Sequence, residues 1–175
     1  MALTGVLRPG YIQVRVTDID AALKHYVDRV GLHEVSRESD GRIYLRAWDE
    51  FDRHSIVLRP ADTAGMDYVG FKVAAESDLD AYARRIEEHG TEVEEVPSGE
   101  QPGLGRRLSF DVPTGHRIEL FSDMALSEHG PMTQNPEIGT KSPMECGLRG
   151  LTIATCMVRT SMVSLSFSQT CSTFP

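Results

Sequence analysis

The chain has 175 residues, which is enough for one domain or for two small domains packed as one. It is 40% hydrophobic and 25% charged, with a net charge of −8 at pH 7, as is typical of a soluble globular protein. The acidic balance argues against nucleic-acid and membrane partners, because both need clustered Lys and Arg. No apolar run reaches membrane-spanning length and none near the first residue suits a signal peptide, so we expect a cytoplasmic protein.

Composition divides the chain into three regions. Residues 1–123 alternate charged and apolar residues between clear turn signals, and we predict that they form the folded domain. Residues 124–150 are rich in Pro and Gly and are typical of a linker. Residues 151–175 contain a single charged residue, Arg159, and ten Ser or Thr, which predicts a disordered tail. All three cysteines follow residue 140, a distribution that indicates neither a disulfide framework nor a zinc site.

The first region contains a repeat. The segment "YIQVRVTDIDAALKHYVDRVGLHEV" begins at Tyr11 and "YVGFKVAAESDLDAYARRIEEHGTEVEEV" begins at Tyr68; each opens as a strand and continues as a helix. The first helix has Asp18 as its predicted N-cap and Gly31 as its stop. Its apolar positions, at helical spacing, are Ile19, Ala22, Leu23, Tyr26, Val27 and Val30.

The second copy of the repeat predicts a matching helix. Ser77 is its expected N-cap and Gly90 its stop, and its inward positions are Leu79, Ala83 and Ile86. Three short strands are predicted after each helix. They lie near His33–Ser36, Arg42–Trp48 and Ser55–Leu58 in the first copy, and near Glu92–Val96, Arg106–Asp111 and Arg117–Phe121 in the second.

The fold class that follows is α+β, built from two tandem βαβββ modules. One such unit cannot cover both faces of its own sheet, whereas two copies can pair their sheets and share a core. A single α+β domain with a chance internal similarity is the alternative. The residues expected to pack against the two helices are Ile12, Val14, Val16, Leu45, Val57, Val69, Phe71, Ile118 and Leu120.

The histidines of this region form no evident catalytic pattern. His25 and His54 are expected at the surface, His89 at the C-terminal end of the second helix, and His116 in a turn. The sequence contains no Ser-His-Asp order, no glycine-rich phosphate loop and no Cys-x-x-Cys pair. A hydrolase of the triad type and a nucleotide-binding enzyme are therefore disfavoured.

Four segments resemble a known family: "RPGYIQVRVTDIDAALKHYVDRVGLHE", "GRIYLRAWDEFDRHSIVLR", "GMDYVGFKV" and "PTGHRIELFSD". Together they are similar to the N-terminal domain of the catechol 2,3-dioxygenases, extradiol enzymes of the vicinal-oxygen-chelate superfamily, over roughly residues 6–150. The resemblance implies the glyoxalase-like fold of that superfamily. It also implies an oxidoreductase of aromatic hydrocarbon catabolism that uses Fe(II) and O2 to open catechols to 2-hydroxymuconate semialdehydes. The family assembles as a homo-tetramer, so a homo-oligomer is expected.

The resemblance also implies where a metal would lie. In this superfamily two His and one Glu bind the metal, from the first strand, from the strand that opens the second module, and from the last strand. Those positions correspond here to Tyr11, Tyr68 and Glu119. Because a tyrosine becomes a good ligand only when it loses a proton, near pH 10, we expect a vestigial site with no metal and no catalytic residue on this chain. A polar residue at a strand end is the alternative reading of Glu119.

In the family, a second, C-terminal module holds the iron, and the resemblance ends where that module begins. Residues 151–175 instead suggest a reading-frame slip near Leu151. Shifting their codons by one base permits "DHCNLYGPDIDGVAELFTDVLNF", which echoes the "DIDAALKHYVDRVGL" of the first module and carries a His on its first strand. The expectation is a truncated catechol 2,3-dioxygenase that is inactive alone and lacks its catalytic domain. Its substrate-binding residues stay undefined.

Two other functions are compatible with the same fold. One is a stand-alone small-molecule-binding or resistance protein that binds its ligand between paired modules. The other is a metal-dependent enzyme of the glyoxalase type, which the absence of His from the two ligand positions disfavours. Metal content and a ligand-binding scan of the purified protein distinguish these possibilities from an inactive dioxygenase domain.

Overall fold

Eight strands form one continuous mixed sheet in the computed structural model, which describes residues 5–47 and 50–127. The strands are β1 (Val6–Val16), β2 (His33–Arg37), β3 (Ile43–Arg46), β4 (Ile56–Pro60), β5 (Gly65–Val73), β6 (Glu94–Val96), β7 (Arg107–Asp111) and β8 (Arg117–Phe121). The helices are α1 (Ile19–Lys24), which continues as a π-helical turn over His25–Arg29, and α2 (Glu76–Glu88). The chain order is therefore βαβββ twice, and the predicted fold class is confirmed.

The sheet is arranged as two equivalent halves. Its strand order is β2-β3-β4-β1-β5-β8-β7-β6, so each module contributes four neighbouring strands. Within each half the first and last strands are parallel, β1 with β4 and β5 with β8. The halves join where β1 and β5 pair antiparallel. The predicted pairing of the two modules' sheets is confirmed, and it takes the form of hydrogen bonds between β1 and β5 that make the two sheets one.

Both predicted helices are present, and one predicted cap was wrong. Asp18 accepts a hydrogen bond from the backbone N–H of Ala21 at 2.9 Å, as expected of an N-cap. Ser77 instead lies inside the first turn of α2, whose N-cap is Ala75. Asp78, at the third position of the helix, accepts the backbone N–H of Ala75 at 3.1 Å, so a side chain inside the first turn bonds back to the N-cap residue.

The helices cover one face of the sheet. The first cluster lies under α1 and comprises buried Ile12, Leu32, Ile43, Leu45, Ala47, Ile56, Leu58 and Val69, with all six predicted helix positions packed against it. The second lies under α2 and comprises Val73, Leu79, Leu108 and Leu120. Val57 was expected under the helices but lies on the opposite face, since it alternates with Ile56 and Leu58 and pairs with Gln13.

Of the predicted region boundaries, only the one near residue 123 lies among the described residues. Met124 is 3% exposed and packs with Tyr11 and Phe121, and Ser127 donates its backbone N–H to Phe51 at 2.7 Å. The chain is thus packed on the sheet up to Ser127. The predictions for residues 128–150 and 151–175 lie outside the described residues. Within the described part of the chain, neither helix has the length and apolar character required to span a membrane.

Candidate functional site

Polar side chains collect on the face of the sheet that the helices leave uncovered. Side chains alternate along a strand, so β1 directs Ile12 and Val14 toward α1 and directs Tyr11 and Gln13 to the other face. The same alternation in β8 places Glu119 beside Tyr11 on that face. This face of the sheet therefore carries all three positions that the sequence singled out.

The structure brings Tyr11 and Glu119 into direct contact. Tyr11 pairs with Gly70 across β1 and β5, and Gly70 pairs with Glu119 across β5 and β8, so the three residues form one row over three central strands. The Tyr11 hydroxyl donates a hydrogen bond to Oε2 of Glu119. The Tyr68 ring stands edge-on to the Tyr11 ring, with centroids 6.1 Å apart. The three predicted positions are therefore neighbours.

Gly70 makes this contact possible. A Cβ atom at position 70 would lie 2.5 Å from the Tyr11 ring, which is closer than side chains approach. The ring has no room to move away, because it is fully buried against Phe121 at 5.1 Å and His54 at 5.9 Å between centroids. Glycine in the middle of β5 thus lets a large phenol lie flat on the strand and reach Glu119.

Tyr68 is held away from the carboxylate by two amides. Its hydroxyl donates to Oε1 of Gln13 at 2.6 Å and accepts a hydrogen bond from the side chain of Gln101. Burial raises the pKa of Tyr68 above its usual value, and the negative charge of Glu119 adds to the rise. Burial and the charge of Glu119 raise the pKa of Tyr11 in the same way. Both phenols are therefore protonated at neutral pH.

Arg107 is the partner of Glu119 that the sequence did not reveal. Its Nε donates to Oε2 of Glu119 at 3.0 Å, and the two side chains are 3% and 4% exposed. A second carboxylate, Glu100, also accepts from the Arg107 guanidinium. Burial raises the pKa of the Glu119 carboxyl, while the charge of Arg107 and the Tyr11 hydrogen bond oppose that rise. The result is a compact hydrogen-bonded cluster of Tyr11, Arg107 and Glu119.

His54 is fully buried, so the prediction that it lies at the surface was wrong. Its ring packs edge-on against Tyr44 at 4.8 Å and against Tyr11 at 5.9 Å between centroids. Burial lowers the pKa of His54 to about 3, and the charge of Arg53 contributes in the same direction. The Gln101 side chain lies near enough to raise that pKa, yet neither ring nitrogen makes a hydrogen bond of normal geometry to the described residues. At neutral pH His54 is an uncharged imidazole.

These residues do not fit a ferrous ion. Iron of this kind is bound by neutral imidazoles and a free carboxylate, whereas here the carboxylate is bound by one phenol and a guanidinium, and the second phenol is hydrogen-bonded to two amides. Among residues 5–47 and 50–127 no group of three or more His, Cys, Asp or Glu side chains is arranged to bind a metal. The cluster can hold a charge in place and tie strands together, but it offers no open coordination position.

A groove lies on the same side of the sheet, beyond Tyr68. Its lining residues are Gln13, Arg15, Arg59, Met66, Asp67, Tyr68, Asp111, Gly115 and Arg117. The arginines of this groove are paired with carboxylates of its own lining, Arg59 with Asp67 at 2.7 Å and Arg117 with Asp111 at 3.1 Å. Arg15 shares Asp67 with Arg59 at 3.1 Å, so the lining holds three arginines against two aspartates.

Comparison with known proteins identifies a family to which the chain is similar. The family model described as the catechol 2,3-dioxygenase-like N-terminal domain matches residues 66–125. The metapyrocatechase of Pseudomonas sp. (strain CF600) is 47% identical over 119 residues, which are 68% of this chain and 39% of that protein. The manganese-dependent 2,3-dihydroxybiphenyl 1,2-dioxygenase of Geobacillus genomosp. 3 is 30% identical over 115 residues, 66% of this chain and 36% of that protein.

Solved structures agree with these sequence relatives. The 2,3-dioxygenase LapB from Pseudomonas sp. KL28 superposes with a TM-score of 0.71 and 36% identity, over 82% of this chain and 48% of that one. An extradiol ring-cleaving dioxygenase from B. fuscum superposes with a TM-score of 0.67 and 30% identity, over 72% and 35%. The chain spans about two fifths of the length of the curated relatives it matches. The chain is therefore similar to the N-terminal part of the catechol 2,3-dioxygenase-like family, and its relatives by sequence and by structure are extradiol dioxygenases.

Proposed function

We propose that residues 6–127 are the structural, metal-free module of an extradiol dioxygenase that cleaves catechols with O2. The observation that carries this proposal is the state of the three ligand positions, in which Tyr11 and Arg107 both bind Glu119. The similarity to a metapyrocatechase supports the choice of a catechol-type substrate. We propose ferrous iron as the metal of the whole enzyme, where it would bring catechol and oxygen together. None of the described residues is assigned to hold it.

The proposed contribution of this module to the enzyme is structural. Its continuous sheet offers a rigid support on which a second pair of βαβββ modules can pack. Large apolar side chains are exposed at Val6 (49%), Leu7 (41%), Phe51 (49%) and Leu126 (71%). The backbone bridge between Asp52 and Leu126 brings Phe51 and Leu126 close together. Such a patch is suited to contact with another domain or another subunit. We therefore propose a homo-oligomeric enzyme in which this module contributes contacts and the catalytic groups belong elsewhere.

Oxygen uptake tests the metal-free role directly. The 175-residue chain is purified, loaded with Fe(II) without oxygen, freed of excess metal, and then mixed with catechol in an oxygen electrode. We expect less than stoichiometric iron and no catechol-dependent uptake, because the phenols and Arg107 leave no open coordination position. Sustained uptake that follows the catechol concentration would contradict the proposal.

The coding DNA around Leu151 tests the enzyme to which this module is assigned. If the proposed frame slip is real, restoring the frame and the sequence that follows should give a protein that cleaves catechol to a yellow product. The restored sequence should encode two His and one Glu in a further pair of modules. If it encodes no such set, the dioxygenase proposal fails, and a stand-alone small-molecule-binding protein becomes the function to test with a ligand scan.

A further inference from the structure

The charge of Glu119 needs a specific partner because the residue is buried. Its side chain is 4% exposed, and an ionised carboxylate taken so far out of water is unstable unless a positive charge and hydrogen bonds compensate it. In a metal-binding module that charge would come from the cation. Here the donors to Glu119 are the guanidinium of Arg107, at 3.0 Å, and the hydroxyl of Tyr11.

Arg107 is fixed in this position from two sides. On the β7–β8 hairpin Ser109 is the register partner of Glu119, so Arg107 reaches Glu119 along the diagonal of the same face. Its side chain is 3% exposed, and Glu100 binds the guanidinium from the other direction. The Arg107 guanidinium is therefore bound by two carboxylates and shielded from water, and its positive charge has a fixed position beside Glu119.

We propose that Arg107 is an internal substitute for the metal cation: its guanidinium balances Glu119 in this module, and this pair excludes divalent cations even where nitrogen ligands are supplied. A divalent ion bound at Glu119 would lie next to a fixed positive charge in a medium of low polarity, where like charges repel strongly. The two tyrosines alone are therefore an incomplete explanation of a metal-free module. The inference goes beyond the proposed function and holds whether or not the whole protein cleaves catechols.

A double-mutant cycle tests the charge balance without any metal. Arg107→Met, Glu119→Gln and the double variant are made in the 175-residue chain, and their thermal midpoints are compared. Arg107→Met leaves the buried Glu119 carboxylate without its cation and should lower Tm by about 10 °C or more. Glu119→Gln leaves Arg107 paired with Glu100 and should lower Tm less, and the double variant should unfold at a higher temperature than Arg107→Met. Arg106→Met is the matched control, because Arg106 pairs with Asp80 and Glu95 at the surface. Additive losses in the double variant would overturn the proposal.

A cobalt titration tests the exclusion of cations. Tyr11→His and Tyr68→His are combined to supply two imidazoles, and this double variant is compared with triple variants that also carry Arg107→Met or Arg106→Met. Binding of Co(II) is followed by its visible absorption and by calorimetry, with far-UV circular dichroism as the check of folding. The Arg107→Met triple variant should bind one Co(II) roughly tenfold tighter or more, since a like charge beside the cation is removed. The Arg106→Met triple variant should behave as the double variant does.

Two results would overturn the proposal in this titration. One is equal Co(II) affinity in the double variant and the Arg107→Met triple variant, because Arg107 would then exclude nothing. The other is a folded Arg107→Met triple variant that binds no Co(II), because the three positions would then fail to converge on a cation. If the imidazole variants do not fold, the thermal cycle, which leaves both tyrosines in place, decides alone. A failure of the dioxygenase proposal would leave both measurements unchanged.

Discussion

At the scale of single residues, the buried imidazole of His54 makes stability depend on pH. Burial lowers the pKa of His54 to about 3 in the folded chain, whereas an unfolded chain has a histidine pKa of about 6.5. Between these values the unfolded state binds the proton and the folded state does not. The contribution of His54 to the free energy of unfolding is therefore fully present above pH 6.5 and is lost as the pH falls toward 3. Between pH 7 and pH 5 the loss is about 2 kcal/mol.

Replacing His54 with glutamine should flatten this dependence. We expect the wild-type Tm to fall between pH 7 and pH 5, and the Tm of His54→Gln to fall clearly less over the same range. Differential scanning calorimetry at half-unit steps of pH measures both slopes. His25→Gln is the matched control, because it replaces an exposed histidine on the first helix. Parallel slopes for wild type and His54→Gln would mean that the buried imidazole takes up its proton without unfolding.

The residues of the cluster divide into those that a sequence can indicate and those that it cannot. Tyr11, Tyr68 and Glu119 could be placed together because the module repeat and the family resemblance fix their strands. Arg107 could not, since its role depends on the register of the β7–β8 hairpin, which alternation alone does not determine. His54 is a stronger case. His54 is separated from Ile56 and Leu58 by even numbers of residues, so a strand period of two would place its side chain on their face of the sheet. In the structure it packs on the opposite face, against Tyr11.

At the scale of elements, the contribution of the α1 N-cap to stability can be measured. The Asp18 side chain satisfies the backbone N–H of Ala21, which would otherwise have no partner within the helix. Asp18→Ala should lower the free energy of unfolding by about 1 kcal/mol, measured by chemical denaturation. Asp20→Ala is the control. It removes the same charge from the first turn of the same helix and should cost less than half as much, because Asp20 does not cap the helix. Equal losses would show that charge near the helix N-terminus, not the cap, is what stabilises α1.

Helix positions could be predicted more reliably than helix ends and strand pairing. All six apolar positions of the first helix pack on the core, because a spacing of three and four residues has one structural interpretation. The start of α2 was misplaced because Ser77 is a common capping residue, whereas the N-cap is Ala75, whose backbone N–H bonds to Asp78 inside the first turn. The joining of both modules into one sheet depends on hydrogen bonds between β1 and β5, whose paired residues are at least 50 positions apart in the chain, and local patterns say nothing about such pairs.

At the scale of the whole molecule, the two modules share their central strands. β1 pairs with β4 of its own module and with β5 of the other, and Phe71 of β5 packs against the clusters under both helices. Neither module can therefore open at the centre of the sheet without exposing the core of the other. A duplicated chain that is joined in this way is expected to unfold in one cooperative step, although its sequence reads as two units.

Truncating Ile12 tests this coupling. Ile12 lies at the centre of β1 with 2% of its surface exposed, and Ile12→Ala should cost about 2–5 kcal/mol. Because the unfolding step is shared, hydrogen exchange followed by mass spectrometry should show equal losses of protection in peptides from β3–β4 and from β7–β8. Val6→Ala is the control, because Val6 lies on the same strand but is 49% exposed. It should leave the hydrogen-exchange protection of both sets of peptides unchanged. If β3–β4 loses protection while β7–β8 keeps its own, the second module is stable alone, and the antiparallel β1–β5 pairing joins two independent folding units.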